Sequence, residues 1–183
     1  ADGREGCGIV RTVLRCGRLI DGTGTDPVED VLLRLEDGLI LEVVPGSSVP
    51  AGGERFIDLT AFTVLPGLID AHDHLCFDWN DPKELLSREA DVWSALRGVA
   101  TCRRMLQAGI TTVRVMGEKN HIDLELRRAV REGLIEGPDL LVSGRSLTIA
   151  GGTQSWFPGN EVDGVAEIRR WIGEQAQAGV DQI

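Results

Sequence analysis

Two of the three histidines in this 183-residue chain, His72 and His74, stand one residue apart in the run VLPGLIDAHDHL, residues 64–75. Side chains two positions apart on a strand share a face, so Asp70, His72 and His74 align while Ala71 and Asp73 point the other way. Two imidazoles on one face can ligate one divalent ion. Structural or surface histidines produce the same spacing, so spacing alone leaves both readings open. A catalytic zinc shell commonly takes three protein ligands and keeps a position for water. The remaining histidine, His121 in MGEKNH, lies several residues out in a loop. It is a poor third ligand and reads as a solvated loop residue or a substrate contact.

Other side chains with chemistry to offer cluster after the expected strands. Glu118 follows the strand ITTVRVMG and is either a solvated charge or a contact for a substrate amine or guanidinium. Gln154 and Trp156, with Phe157, sit in the loop AGGTQSWFPG, where they would form an amide contact and an apolar wall, or simply pack against a helix. Trp93 and Trp171 fall on apolar helical faces and are expected in the core.

The elements that position these residues change character along the chain. Residues 1–62 read as a small β module, with VRTVLRCGRLI, the turn-rich DGTGTDP, and a hairpin turn at Asp37-Gly38 between two apolar runs. Residues 63–183 alternate short apolar runs with helical patterns, the texture of βα units on a parallel sheet. TVLPGLIDAH is the first strand. A helix is expected from Pro82 to Ala108, with Leu85, Leu86, Ala90, Trp93, Leu96 and Val99 at helical spacing and Gly109 as its stop. ITTVRVMG and DLLVSGRSLTI are the next strands, each followed by a helix, and VDQI begins a fourth. The histidine pair therefore falls at the C-terminal end of the first parallel strand, where barrel and open-sheet enzymes place their sites. An unpaired strand is an odd place for a domain to stop. The reading is an α/β fold, the N-terminal part of a (β/α)8 TIM barrel preceded by strands of a small β-sandwich domain. A closed barrel takes about 250 residues, so the chain reads as cut.

Composition narrows the partners. A formal net charge of −10, from 29 acidic and 19 basic side chains, with 4% aromatics, argues against nucleic acid. No apolar stretch reaches the roughly 20 residues of a membrane span, and ADGREGCG lacks the features of a signal peptide, so no membrane is expected and the cytoplasm is the default location. Cys7, Cys16, Cys76 and Cys102 form no CxxC pair and read as free or buried thiols. No GxGxxG or GxxxxGK[ST] fingerprint marks a nucleotide site.

The run LPGLIDAHDHL, preceded by GRLIDGTGTDPVEDVLLRLEDGLI and IDLTAFTV, resembles the amidohydrolase superfamily, whose first barrel strand ends in PGxIDxHxH. AGITTVRVMG, ELRRAVREGLIEGPDLLVSGRSLTIAGG and EQAQAGVDQI are similar to successive segments of its branch of Xaa-Pro and other dipeptidases and imidazolonepropionase-like enzymes. The resemblance covers the chain from Val10 onward. It implies that His72 and His74 bind the more buried of one or two divalent metals, zinc by default, with cobalt, nickel or iron also suited to imidazole. It implies two further histidine ligands and a general-base aspartate beyond Ile183, and in binuclear members a carboxylated lysine at the next position. The chain thus ends one residue before that lysine, either truncated there or interrupted at a modified residue. The implied activity is hydrolysis of an amide or related C–N bond by a metal-activated water. A dipeptide of Xaa-Pro type is the first substrate, a cyclic amide or imidazolone, or deamination of a ring, the second, and a non-catalytic assembly protein the competing class. The expected partner is a small-molecule or dipeptide substrate, with a homo-oligomer left open.

Two departures touch the substrate rim. Relatives often read TTVRDMGG where this chain has TTVRVMGE, with Val115 for an acidic residue, and TGGHG where it has AGGTQ, so that Thr153 or Gln154 stands where a pocket histidine is common.

Overall fold

The computed structural model describes residues 11–48, 53–78, 80, 87–153, 155–156 and 160–183. The chain divides into two compact units, residues 1–66 and 67–183. No described helix is long and apolar enough to cross a membrane.

The first unit is a four-stranded sheet in the order β3-β2-β1-β4, built from β1 (Arg11–Leu19), β2 (Val28–Glu36), β3 (Leu39–Pro45) and β4 (Arg55–Val64). β1 pairs antiparallel with β2 and parallel with β4, and β2 pairs antiparallel with β3. The hairpin expected at Asp37-Gly38 is present. Both residues have positive φ, 49° and 81°, which matches the right-handed twist of the strands they join. Cys16, Leu19, Val31 and Leu33 form its core. One sheet stands among the described residues where a sandwich has two. β4 also runs through Val64, so Thr63 and Val64, read from the sequence as the start of the barrel strand, belong to this sheet.

In the second unit β5 (Leu68–Asp73), β6 (Ile110–Val115) and β7 (Asp139–Leu141) form a parallel sheet in sequence order. α1 (Asp91–Gln107) connects β5 to β6, α2 (Ile122–Arg131) connects β6 to β7, and α3 (Gly164–Ala178) follows. The expected βα alternation is therefore observed. Leu75, Cys76, Cys102, Val113, Val115, Ile122, Leu126, Leu140 and Val142 make the core between sheet and helices. Gly179 ends α3 in the left-handed conformation, with φ 88°.

Several expectations need correction. Ser87 and Arg88 are helical, but Ala90 is extended, so the expected helix is interrupted there and α1 begins at Asp91; residues 81–86, including Leu85 and Leu86, lie outside the described residues. α1 buries Ser94, Gly98 and Cys102, four residues apart, and leaves Trp93 58% exposed. The reason is close approach: a Cβ on Gly98 would lie 2.5 Å from Leu126 Cδ1. Small residues let the helix backbone sit against α2, Val99 and Met105 pack beside them against the core, and Val92, Trp93 and Leu96 fall on the exposed face. Trp171 is buried as expected. The third strand is shorter than DLLVSGRSLTI, because the chain turns at Gly144, φ 70°, whose N–H goes to Asp123 Oδ2 at 2.8 Å. Residues 180–183 form no strand; Asp181 instead donates its N–H to the Val142 carbonyl at 2.8 Å.

Candidate metal centre

β5 ends at Asp73, and His74 opens a turn in which the Phe77 N–H reaches back to the His74 carbonyl at 3.4 Å. Asp70 Oδ1 accepts the His72 N–H at 3.0 Å, so this carboxylate braces the backbone between the strand's last residues. The rings of His72 and His74 have centroids 5.7 Å apart and planes at 74°. That spacing is compatible with one nitrogen from each lying about 2.0–2.1 Å from a shared ion. His72 is exposed, whereas His74 is 6% exposed.

His74 Nδ1 lies 2.8 Å from the Gly117 carbonyl oxygen. A carbonyl can only accept, so Nδ1 carries the hydrogen, and in the neutral ring the acceptor lone pair is then on Nε2. Burial holds the His74 pKa below its ordinary value, with the Gly117 acceptor opposing and His72 adding to the lowering. A buried, neutral imidazole whose second nitrogen donates to a backbone carbonyl is what a metal ligand requires. The donor set therefore fits a divalent ion. Among the described residues, no group of three or more His, Cys, Asp or Glu side chains gathers to hold one.

The other expected site residues take different places. His121 is the left-handed residue before α2, with φ 61°, and its Nε2 lies 2.8 Å from Gln175 Oε1 on α3. Gln175 is itself fully buried, which ties His121 to the α3 side. Glu118 is 1% exposed, and its Oε1 accepts the Cys76 N–H at 3.1 Å. Burial pushes its carboxyl up to about 8, opposed by the Cys76 amide and assisted by the nearby Asp123. Trp156 meets Phe77, with ring centroids 5.7 Å apart, and Phe77 stacks on His74 at 4.4 Å and 9°. Gln154 lies outside the described residues. Thr153 instead lines a cavity of about 430 Å³ with Met116, Ser143, Arg145, Ser146 and Trp171.

Phe77, Gly117 and Arg97 are participants that the sequence reading did not single out. Arg97 Nη1 donates to the Cys76 carbonyl at 2.9 Å while its guanidinium grips Glu89 at 2.7 and 2.8 Å. Phe77 lies three residues beyond His74 and was open to inspection as an aromatic neighbour. Nothing in the spacing pairs position 74 with 117, or 76 with 97.

A model of the Amidohydrolase family matches residues 63–183, which include the HxH turn and the three βα units. The chain belongs to the amidohydrolase family. It is 27% identical to ochratoxinase of Aspergillus niger over 204 residues, covering 94% of this chain and 41% of that protein. A shorter stretch of 50 residues is 40% identical to imidazolonepropionase of Salmonella arizonae, covering 27% of this chain and 12% of that protein. A solved prolidase complexed with N-methylphosphonate-L-proline superposes with a TM-score of 0.81 at 26% identity, covering 93% of this chain and 45% of the prolidase. This amidohydrolase chain thus spans less than half the length of the relatives it matches.

Proposed function

We propose that this chain contributes the first two metal ligands of a hydrolase that cleaves an amide or related C–N bond in a small molecule or dipeptide. The observation that carries the reading is the 2.8 Å contact of His74 Nδ1 with Gly117, which fixes the tautomer that metal-bound histidines use. In this reading His72 and His74 hold the ion, and residues 67–183 are the opening of a (β/α)8 barrel. Residues 1–66 supply one sheet of a sandwich that other residues complete. The remaining ligands and the general-base aspartate lie beyond Ile183. A divalent ion held there, with zinc the default, supplies Lewis acidity that lowers the pKa of a water and polarises the carbonyl to be cleaved.

The chain's own residues do the rest. Gly117 fixes the tautomer and plane of His74. Phe77, stacked on that ring and backed by Trp156, gives the site an apolar wall that keeps water from one face of the imidazole and offers an apolar surface to substrate.

An Xaa-Pro dipeptide is the first substrate, supported by the likeness to the prolidase along nearly the whole chain. The imidazolonepropionase likeness covers 27% of the chain and makes a cyclic amide the second. The deciding experiment is hydrolysis by the full-length protein of a panel of Xaa-Pro dipeptides, other dipeptides and cyclic amides, with and without added Zn²⁺. Metal-dependent turnover of at least one class is expected. Stoichiometric metal with no turnover of any of them would favour the non-catalytic relative.

A further inference from the structure

We propose that Glu118 is a positioning residue for His74, holding the turn that follows the ligand so that the imidazole keeps its Nδ1–H on Gly117. The proposal rests on the metal-centre reading above.

Gly117 and Glu118 are consecutive, and each grips the same turn. Gly117 takes the ring hydrogen of His74 at 2.8 Å, and Glu118 Oε1 takes the N–H of Cys76, two residues on, at 3.1 Å. The opposite end of the Cys76 residue is also held, its carbonyl accepting from Arg97 at 2.9 Å. The gripping loop is anchored in turn. Glu118 donates its N–H to the Gly144 carbonyl at 2.8 Å, and Gly144 donates its own to Asp123 Oδ2 at 2.8 Å. Residues 74–77 are thereby clamped to the loop after β6 by one side chain and one backbone carbonyl. Release of the Cys76 N–H frees the turn to rotate and carries the His74 ring off its acceptor.

A buried carboxyl is a costly way to fill space. Among the described residues no Lys or Arg forms an ion pair with Glu118, and its Oε2 has no hydrogen-bond partner. An apolar side chain of similar volume would avoid that desolvation cost. What the acid supplies and an apolar residue would not is the acceptor for Cys76. With its carboxyl raised to about 8, the group is largely neutral near pH 7 and Oε1 acts as a carbonyl-type acceptor. Gln is its isostere.

The test compares Glu118→Gln and Glu118→Met in the full-length protein by two readouts. These are the ring-nitrogen NMR shifts of His74 in the metal-free state, and Zn²⁺ affinity by chelator competition. Glu118→Gln should keep the Nδ1–H tautomer and an affinity within about threefold of the unsubstituted protein, whereas Glu118→Met should give mixed tautomers and lose roughly 10–100-fold in affinity. Retention of the single tautomer or of the affinity in Glu118→Met overturns the proposal, as does Glu118→Gln behaving like Glu118→Met. Should Glu118→Met fail to fold, Glu118→Asp, one methylene too short to reach Cys76, takes its place with the same outcomes. Absence of Zn²⁺ binding by the unsubstituted protein would defeat the metal reading alone, since the tautomer comparison still decides the role of Glu118.

Discussion

His74 donates from Nδ1 to the carbonyl oxygen of Gly117 across 2.8 Å, joining the residue after β5 to the loop after β6. The bond spans 43 positions of sequence and sets which nitrogen of a buried imidazole carries the hydrogen. Replacing either His72 or His74 by alanine should therefore abolish tight divalent binding. Metal content after dialysis against a chelator, measured by inductively coupled plasma mass spectrometry, checks this; unchanged stoichiometry in both variants would refute the assignment.

Gly117 itself should resist substitution. Its φ is 109°, a conformation that L side chains rarely adopt, and an added Cβ would meet Ser146 Oγ and approach the Ser146 backbone nitrogen at 3.3 Å. Gly117→Ala should lower stability by about 1–3 kcal/mol and weaken Zn²⁺ binding through the displaced carbonyl. Denaturant titration and chelator competition measure the two effects. A variant as stable and as tightly metallated as the parent would show that the loop relaxes freely.

The buried acid makes stability depend on pH. Glu118 has a folded-state pKa of about 8 against an ordinary 4.5, so the folded state holds the proton more tightly than the unfolded chain. Its contribution is fully present below pH 4.5 and is lost as pH rises through 8. Burial also raises Asp123, which acts with the same sign. Glu118→Gln removes the first of these dependences and should gain on the order of 2–4 kcal/mol over the parent at pH 7 to 8. The difference should vanish near pH 4. Urea midpoints across that range provide the measurement, and parallel curves for the two proteins would contradict it.

In the first unit, the turn at Asp37-Gly38 offers a control remote from the histidines in sequence. Gly38→Ala places a side chain at φ 81° and should cost about 1 kcal/mol. Asp37→Asn retains the residue preference of the turn and should change stability by less than about 0.5 kcal/mol. Thermal melts distinguish the two. Equal losses would mean that the positive φ values are not what limits this hairpin.

Much of the frame was legible before folding. The Asp37-Gly38 hairpin, the alternation of β5, α1, β6, α2 and β7, and the glycine stop at Gly109, with φ 85°, follow from local conformational preference and periodicity, which act over a few residues. Trp93 was misread by the same rule. The helix chose its buried face by how closely its backbone could approach Leu126, a fact of packing that hydrophobic spacing does not contain.

For the candidate centre, the sequence by itself determined that two imidazoles stand two positions apart at a strand end, and resemblance supplied the kind of ion. Only the tertiary structure decided which nitrogen of His74 is committed, that Phe77 covers its ring, and that Glu118 lies beneath the turn. The partners of these groups, Gly117, Trp156 and Cys76, are dozens of residues away in sequence. Their hydrogen bonds and ring contacts exist only once parallel strands and their helices have packed, because burial brings those distant groups together and gives each polar atom its acceptor.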